Sequence, residues 1–555
     1  MCVQVIKTDE HLNPLRAKSR IVVLGNLEDR PWTKADKYAP VLQYSSLRLL
    51  TTMAIEKRRR LLQADCKNAF CMASLPADEM TIVRPPLGDP DASPDEFWLL
   101  QKTLYGLGRS PHHWYNMITS VFKEMGLKSS AHDPCLFIGV PSSDTSPASS
   151  CDMPVHVGVY VDDLVYFSED PAIEQRFQKL LAEKLKVEFM GTVNWFLGTH
   201  FEWSEHHDGS LSVHLNQSAY AQNLVERHRL QDLNLNPLAT PYRSGCPIDS
   251  IPSATIDEND PYFVQRRENY QQLVGCLTWL AMNTRPDIAP AVSFLASYSS
   301  CPNKQHMEAA LYVIRYIRST VSQGIAYHST SASDTSAYVH FPFPHDAEAY
   351  DDAIPPANDQ AHLLTGYSDA CWGSQLGNII PDGDEIELFK FRSMSGFLLM
   401  RCGGPISWKC VRQERCSRST CEAEIRATDE ATKEILSLRN RCEDMDLPDA
   451  DIPTPIYNDN QGCVDWSKGT STKGMRHMNI RDCAVRDSVQ KSEINMLHIP
   501  GILNPSDIFT KEMRDGKHFR TLRDSFMMTV ERFRAFTVTA SAAWMSVTWV
   551  PGFIL

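Results

Sequence analysis

Two apolar segments, VHVGVYV and LVYF, flank a pair of adjacent aspartates, Asp162 and Asp163. β-Branched and aromatic residues recur through both segments, as in two strands that are joined by a tight turn. The pattern therefore predicts a β-hairpin over residues 155–167, with both acids at its tip.

From Leu363 to about Glu512 the chain alternates strand-like runs with one long helical stretch. The runs GFLLM, PISW and TPIYND have the length and composition of strands, whereas the stretch from Glu422 to Asp444 has helical periodicity. This alternation predicts an α/β domain. Residues 328–362 carry six acids, no Lys or Arg, and several Pro and Ser. That composition predicts an unpacked linker, and residues 141–152 are similarly expected to form a loop.

The composition is that of a folded protein of several domains. A chain of 555 residues has room for about three or four domains. Its 43% hydrophobic and 22% charged residues exclude a wholly disordered or fibrous chain. The net charge of −13 argues against uniform basicity as a means of coating nucleic acid, although residues 1–60 hold twelve basic and six acidic residues.

Neither cysteine spacing nor targeting segments point outside the cell. The 16 cysteines include no C-x-x-C pair and no zinc-like cluster, so we expect buried thiols in a reducing compartment. The first ten residues lack the apolar run of a signal peptide, so secretion is not expected. The last 21 residues are uncharged but include seven Ser, Thr, Pro or Gly residues, so we do not expect a membrane span or a membrane partner there.

The aspartate pair is the first candidate for metal chemistry. Neighbouring carboxylates repel each other, and a divalent cation relieves that repulsion. Asp65, which follows the apolar Leu61 and Leu62, could supply a third carboxylate. Two Mg²⁺ ions roughly 3.5–4 Å apart would then activate a primer hydroxyl and stabilise the pyrophosphate leaving group. The alternative is an ordinary solvated Asp-Asp turn.

A second set of acids lies in the C-terminal part: Asp369, Glu424, Asp459 and Asp507. Asp369 and Asp459 each end a strand-like run, and Glu424 lies near the start of the helical stretch. Four carboxylates from separate elements that converge on one point suit two Mg²⁺ ions that activate water against a phosphodiester. Taken singly, each acid has the alternative of being a surface residue.

The motifs around the first set resemble those of the reverse transcriptase of Ty1/copia-type retrotransposons. YVDD at 160–163 is similar to that family's catalytic box, and DCKNAF at 65–70 is similar to its D-V-K-N-A-F. Further blocks follow in the family's order: YAPV (38–41), SSLRLL (45–50), RPPLG (84–88), LYGLGRSPHHWY (104–115), WFLGTHF (195–201) and LVGCLTWLAMNTRPDIAPAVSFLA (273–296).

The resemblance implies roles for residues near the acids. Phe70 would be the steric gate against the ribose 2′-hydroxyl, and the segment that begins with Tyr105 and Gly106 would line the nucleotide and template side. The turn from Trp195 to Gly198 resembles the primer-gripping turn, and Arg20 would contact triphosphate from the fingers. Core packing is the alternative for the two aromatic residues Phe70 and Trp195, and a solvated strand edge is the alternative for Arg20.

The second set resembles the ribonuclease H of the same family over residues 363–512. The matching blocks are SDACW, SMSG, ISW, STCEAE, DNQ and SDIFTK. His477, in MRHMNIRDC, would assist product release, with a packed or surface histidine as the alternative. The family's second histidine in that block is Cys483 here, and its usual Lys-Gln after Tyr-Gly-Leu is Gly108-Arg109.

Two glutamates near the start of the long helix are expected to differ in role. Ser419 and Glu422 fit a capping box, in which the Glu422 side chain reaches back to the Ser419 amide. Glu424 is about 200° further round the helix, so the two carboxylates cannot easily share one site. Glu424 also heads a sequence that resembles the E-x-x-A of ribonuclease H helices. We therefore assign the metal-ligand role to Glu424 and a structural role to Glu422.

The resemblance implies an α+β fold, with a right-hand polymerase of fingers, palm and thumb followed by an α/β ribonuclease H-like domain. The implied function is RNA-directed DNA polymerisation coupled to ribonuclease H cleavage, using two Mg²⁺ per active site or Mn²⁺ in their place. RNA template, RNA–DNA hybrid and dNTPs are the implied partners, and the cytoplasm, in a virus-like particle, or the nucleus is the implied location. The rival hypothesis is a catalytically dead element remnant. It is suggested by the acidic linker, by the tail and by the fingers, whose first residues are missing because Met1 falls just ahead of the stretch that resembles the family's K-A-R-L-V. The domains expected are 1–243 polymerase, 244–327 helical connection, 328–362 linker, 363–515 ribonuclease H-like and 516–555 divergent tail.

Overall fold

The computed structural model divides the chain into two compact units, Met1–Val193 (unit 1) and Asn194–Leu555 (unit 2). The division falls after residue 193, and the finer domain limits expected from the sequence remain predictions. Nearly all of the predicted linker lies outside the described residues. These residues are 1–8, 14–28, 30–86, 93, 95–142, 149, 151–231, 235–243, 247–248, 251–329, 362–373, 392–469 and 483–535.

Unit 1 combines strands with a few helices. Its strands are β1 (Cys2–Thr8), β2 (Pro14–Ile21), β3 (Leu62–Cys66), β4 (Thr81–Val83), β5 (Trp98–Leu100), β6 (Lys128–Ser129), β7 (Leu136–Gly139), β8 (Val155–Tyr160), β9 (Asp163–Ser168) and β10 (Val187–Thr192). Its α-helices are α1 (Lys34–Lys37), α2 (Tyr44–Glu56), α3 (Ser110–Glu124) and α4 (Pro171–Lys184).

The main sheet of unit 1 has six strands in the order β10-β3-β9-β8-β7-β6, and all neighbouring strands are antiparallel. Strands β8 and β9 form the hairpin that the sequence predicted, with Tyr160 opposite Asp163. Helix α2 contacts β8 and is buried from Ser45 to Ile55, as expected of a helix that is enclosed on all sides. Strand β3 therefore lies in the middle of the sheet, beside the hairpin.

Unit 2 contains two larger sheets and most of the helices. Its strands are β11 (Trp195–Phe196), β12 (Thr199–Glu205), β13 (Leu211–Asn216), β14 (Gln323–His328), β15 (Thr365–Cys371), β16 (Met394–Arg401), β17 (Gly404–Arg412), β18 (Thr454–Asn458), β19 (Ile494–His498) and β20 (Met528–Thr529). Its α-helices are α5 (Ser218–Arg227), α6 (Pro261–Asn283), α7 (Ala289–Ala296), α8 (Lys304–Arg318), α9 (Thr420–Asp444), α10 (Gln461–Lys468), α11 (Ala484–Gln490) and α12 (Gly516–Arg523).

The first sheet of unit 2 has the strand order β11-β12-β13-β14-β20, with antiparallel neighbours throughout. Strand β20 comes from the segment that the sequence analysis described as a divergent tail. It pairs with β14, where Gly324 lies opposite Met528. Met528 and Thr529 of the tail are therefore part of a folded sheet.

A buried polar network fixes the same segment to the helices of unit 2. The Arg285 guanidinium donates to both carboxylate oxygens of Asp287, at 2.9 and 2.8 Å. Tyr316 donates to Asp287 at 2.7 Å, and Arg523 of α12 donates to the Tyr316 hydroxyl at 3.1 Å. Buried charges are tolerated when they are paired in this way, so α12 is anchored to α8 through Tyr316.

The second sheet of unit 2 has the order β17-β16-β15-β18-β19. Its first three strands are antiparallel, whereas β18 runs parallel to both β15 and β19. Helix α9 packs on β15 and β16. The predicted strands and the predicted long helix are all present, and the α+β class is confirmed. No helix in the described ranges has the length and apolarity needed to cross a membrane.

Candidate active sites

Two acids of the first set face each other in the six-stranded sheet of unit 1, and the third lies in the adjacent turn; the three do not bring their oxygens within 4.8 Å of one another. Asp65 of β3 lies directly opposite Asp163 of β9, and opposed residues of antiparallel strands project from the same face of a sheet. Asp162 occupies the hairpin turn, where its carbonyl accepts a hydrogen bond of 2.8 Å from the Cys66 amide. Burial raises the pKa of Asp65, and the nearby charge of Asp162 raises it further.

The hairpin turn that carries Asp162 is strained. Val161 has a φ of 58°, which is a rare conformation for a β-branched residue. Its carbonyl accepts a hydrogen bond of 2.6 Å from the indole Nε1 of Trp114, which is buried in α3. This contact holds the turn in place. Strain of this kind is often found at functional sites.

Three residues of the predicted nucleotide side contact one another. The rings of Phe70 and Tyr105 meet edge to face with centroids 5.3 Å apart, and the Arg20 guanidinium lies 5.6 Å from the centre of the Tyr105 ring. Burial raises the pKa of Tyr105, and the charge of Asp162 raises it further. The group therefore lies close to the acids, as a nucleotide pocket requires, although its predicted roles remain predictions.

Gly106 has a backbone reason to be glycine. Its φ is +95°, and a Cβ atom there would lie 2.0 Å from the Val23 carbonyl oxygen. The Val23 amide meanwhile donates to the Tyr105 carbonyl at 2.8 Å. Gly106 thus lets the segment after β2 pack across Tyr105, and this packing brings Arg20 over the ring.

The predicted primer-gripping turn is a two-residue hairpin in unit 2. Leu197 and Gly198 both have positive φ, at 49° and 71°, as the favoured hairpin turns require. The Trp195 ring lies at 4.8 Å from the ring of His200, on the opposing strand. Trp195 is half-buried, and a role in binding a primer stays a prediction.

Three of the four acids in the second set form a compact cluster. One carboxylate oxygen from each of Asp369, Glu424 and Asp459 can be chosen so that all three lie within 4.8 Å of one another. Asp369 is in β15 and Asp459 directly follows β18, so the parallel pairing of these strands brings both acids to the same sheet edge. Helix α9 packs on β15 and supplies Glu424. No other group of this kind occurs within the described ranges.

The cluster is electrostatically costly without a cation. Burial raises the pKa of Asp369 to about 6, and it raises the pKa of Glu424 well above its ordinary value. The pKa of Asp459 is raised for the same reason, with a further contribution from the charge of Asp369. Hard divalent cations prefer carboxylate oxygens. A donor set of three converging carboxylates therefore fits Mg²⁺ or Mn²⁺.

Asp507 lies beside the cluster and is paired with a lysine. Asp507 lies close enough to Asp369 to raise its pKa, and it forms an ion pair with Lys511. The Lys511 ammonium is also 3.8 Å from Asp369 Oδ2, and the Thr510 hydroxyl donates to that same oxygen. Neither Thr510 nor Lys511 was assigned a role from the sequence. The available signal was the block SDIFTK itself, in which a hydroxyl and a lysine closely follow Asp507.

Gly396, in the SMSG block, permits this arrangement. It lies opposite Asp369 in the pairing of β15 with β16. A Cβ atom at this position would be 2.7 Å from Phe509 Cβ and 2.7 Å from Thr510 Cγ2. Glycine therefore allows the segment that carries Asp507 to approach the sheet beside Asp369.

Asn458 is a further residue that the sequence analysis missed. Its buried side-chain amide donates to Glu424 Oε2 at 2.9 Å and to the Ser368 hydroxyl at 3.1 Å. The amide therefore orients one oxygen of the Glu424 carboxylate without neutralising its charge. Its position directly before Asp459, at the end of a buried strand, was the available signal.

Glu422 lies apart from the cluster, although its predicted contact is only half right. The Ser419 hydroxyl accepts from the Glu422 amide at 3.1 Å, which confirms Ser419 as the N-cap. The Glu422 carboxylate accepts from the Arg418 amide at 2.8 Å and from Arg426 at 2.6 Å, so the predicted contact with the Ser419 amide is wrong. The Arg426 guanidinium, one turn along α9, pairs with the carboxylate.

His477 lies outside the described residues.

Comparison with known proteins agrees with the motifs. Residues 2–244 match the family described as reverse transcriptase (RNA-dependent DNA polymerase). The retrovirus-related Pol polyprotein from transposon TNT 1-94 of Nicotiana tabacum is 24% identical over 92% of this chain and 34% of its own length. The corresponding polyprotein from transposon RE1 of Arabidopsis thaliana is 25% identical over 91% of this chain and 30% of its own length. The chain thus spans about a third of the length of these relatives.

Among solved structures, the foamy viral protease-reverse transcriptase in complex with RNA/DNA hybrid aligns with 88% of this chain and 69% of its own. The identity is 9% and the TM-score is 0.24. The sequence matches and the ordered motifs agree on one lineage. Residues 2–244 thus match the reverse transcriptase family, and most of the chain is similar to retrotransposon Pol polyproteins of the Ty1/copia type.

Proposed function

We propose that this chain is an RNA-directed DNA polymerase coupled to a ribonuclease H that cleaves the RNA of RNA–DNA hybrids. The observation that supports the proposal best is the cluster of Asp369, Glu424 and Asp459, whose oxygens lie within 4.8 Å of one another in a chain that matches the reverse transcriptase family over residues 2–244. Structural acids rarely converge at such an electrostatic cost. The RNA template, the hybrid, dNTPs, and a cytoplasmic or nuclear location belong to this proposal.

In the polymerase site, Asp65, Asp162 and Asp163 are the proposed ligands of divalent ions. Bound Mg²⁺ would activate the attacking hydroxyl or water in each site and neutralise charge on the phosphate. To the Phe70 ring, which meets the Tyr105 ring edge to face, we assign the role of excluding a 2′-hydroxyl. Arg20 provides a positive charge over the Tyr105 ring for an incoming triphosphate.

In the ribonuclease site, Asp369, Glu424 and Asp459 are the proposed ligands, with Asp507 beside them. Asp369 is almost fully buried, and the Thr510 hydroxyl orients its Oδ2 by donating a hydrogen bond to it. Asn458 fixes one oxygen of Glu424. The oxygens are therefore oriented before any substrate arrives, which reduces the reorganisation needed during reaction.

The test is primer extension on poly(rA)/oligo(dT) with Mg²⁺, run in parallel with cleavage of a labelled RNA–DNA hybrid. Both activities are expected from the wild-type chain. Asp162→Asn or Asp163→Asn should abolish extension and spare cleavage, whereas Glu424→Gln should do the reverse, because the two carboxylate sets lie in separate compact units. A folded wild-type chain with neither activity would support the rival hypothesis of a catalytically dead remnant.

A further inference from the structure

A lysine ammonium of the chain itself lies beside two of the four proposed ribonuclease carboxylates. The Lys511 ammonium forms an ion pair with Asp507 and lies 3.8 Å from Asp369 Oδ2. Asp369 is 1% exposed and Asp507 13%, whereas the Lys511 side chain is 37% exposed. The lysine therefore reaches from solvent towards buried acids.

A neutral group, by contrast, contacts the Glu424 carboxylate of the same cluster. Glu424 accepts its hydrogen bond from the Asn458 amide, which brings no charge. Glu424, Asp459 and Asp369 remain close enough together to share one cation. Asp369 is therefore shared between two groups of acids. Glu424 and Asp459 complete a compact trio with it, whereas Asp507 lies on its other side, where Lys511 contacts both aspartates.

We propose that Lys511 is a tethered cation that occupies the Asp369–Asp507 side of the site and must leave before a second divalent ion can bind there. This proposal rests on the proposed ribonuclease function. A first ion at the trio of Asp369, Glu424 and Asp459 can bind while Lys511 stays near Asp507. A second ion at Asp507 competes directly with the ammonium, because two cations cannot share the same carboxylate oxygens at close range.

The lysine is built to move. Its side chain has four rotatable methylene groups and a strongly hydrated head, and it is partly exposed. The contrast is the Arg401–Asp449 pair in the same unit, where both side chains are fully buried and the guanidinium makes several contacts with one carboxylate. That pair is a fixed structural feature, whereas Lys511 can exchange with an ion.

Binding of Mn²⁺ to the full chain, with free Mn²⁺ counted by electron paramagnetic resonance, tests the exchange. Asp162→Asn and Asp163→Asn are present in every sample, so that binding at the polymerase site is removed. We expect two Mn²⁺ ions to bind in unit 2, one with a lower dissociation constant than the other. Lys511→Gln should lower the dissociation constant of the weaker ion by about tenfold and change that of the tighter ion much less.

Two controls accompany this experiment. Lys511→Arg keeps the charge and should leave the weaker dissociation constant high. Lys491→Gln is the matched control. Like Lys511, Lys491 pairs with an aspartate four residues earlier, Asp487, but this pair is exposed at the end of α11. This substitution should leave both constants unchanged. Unchanged Mn²⁺ binding in Lys511→Gln would overturn the inference about Lys511. Glu424→Gln is measured as well, because it should weaken Mn²⁺ binding at the proposed ribonuclease site. If Glu424→Gln binds Mn²⁺ as the parent chain does, the proposed ribonuclease site is itself overturned.

A second measurement needs no change at Lys511. Acetic anhydride labels free amines, and mass spectrometry of the digested chain reports each lysine separately. Adding Mn²⁺ should increase the labelling of Lys511 several-fold relative to Lys491, since displacement frees its ammonium. Labelling of Lys511 that stays constant or falls on addition of Mn²⁺ would overturn the proposed displacement.

Discussion

Replacement of Asp369 by Asn should stabilise the metal-free ribonuclease-like sheet at neutral pH. The Asp369 side chain is 1% exposed, and burial raises its pKa from 3.8 to about 6. A carboxyl whose pKa is raised by folding destabilises the folded state once it is ionised. The penalty is absent below the unfolded pKa of 3.8, grows between pH 3.8 and about 6, and is complete above that range.

The magnitude follows from the shift. A rise in the pKa from 3.8 to about 6, at about 1.36 kcal/mol for each pH unit, gives a penalty on the order of 3 kcal/mol at pH 8 and about 0.5 kcal/mol at pH 4. Asparagine has nearly the same shape and carries no charge. Asp369→Asn should therefore raise the free energy of unfolding by about these amounts in the presence of EDTA.

Hydrogen exchange of the amides in β15 and α9 is the suitable assay, because a chain with two compact units need not unfold in one step. Wild type and variant are compared at the same pH, so that intrinsic exchange rates cancel. Saturating Mg²⁺ should stabilise the wild type more than the variant, since only the wild type keeps the full carboxylate set. Equal stability of the two proteins at pH 8 in EDTA, or a gain of the same size at pH 4, would refute the reasoning.

Other substitutions separate neighbouring roles. Phe70→Ala should increase ribonucleotide incorporation relative to deoxynucleotide incorporation, whereas unchanged sugar selectivity in an active variant would make Phe70 a packing residue. Glu422→Gln should keep most hybrid cleavage, and Glu422→Ala should cost up to about 1 kcal/mol of stability. Loss of cleavage in Glu422→Gln but not in Glu424→Gln would reverse our assignment. Asn458→Ala should raise the Mg²⁺ concentration needed for half-maximal cleavage by about 10- to 100-fold, and an unchanged Mg²⁺ requirement would leave Asn458 with a packing role alone.

The sequence predicted the elements that carry the acids because each depends on local patterns. The hairpin around Asp162 and the long helix that carries Glu424 both follow from the spacing of apolar residues. The contact of Lys511 with Asp369 and that of Asn458 with Glu424 could not be predicted in this way. Each joins two residues that are far apart in the chain, and apolar periodicity contains no information on such contacts.

Strand β20, in the tail, could not be predicted from apolar periodicity either. Strand β20 has two residues, too few to produce an alternating pattern, and its partner β14 lies about 200 residues earlier. The contact of Glu422 with Arg426 is a milder case. Both residues are on one helix four positions apart, and either the Ser419 amide or this guanidinium was a plausible partner for the carboxylate.

The pairing of β14 with β20 has a consequence for biogenesis. A ribosome that adds about 5–20 residues per second needs roughly 10–40 s to synthesise the segment between these two strands. Throughout that time β14 can pair with β13, but Gln323 and Gly324 on its other side lack their β20 partners. An open edge of this kind invites pairing with a second nascent chain. Translation that stopped after Asp507 and before Met528 would make the exposure permanent, so termination between these residues should yield aggregates even though every proposed metal ligand has been synthesised.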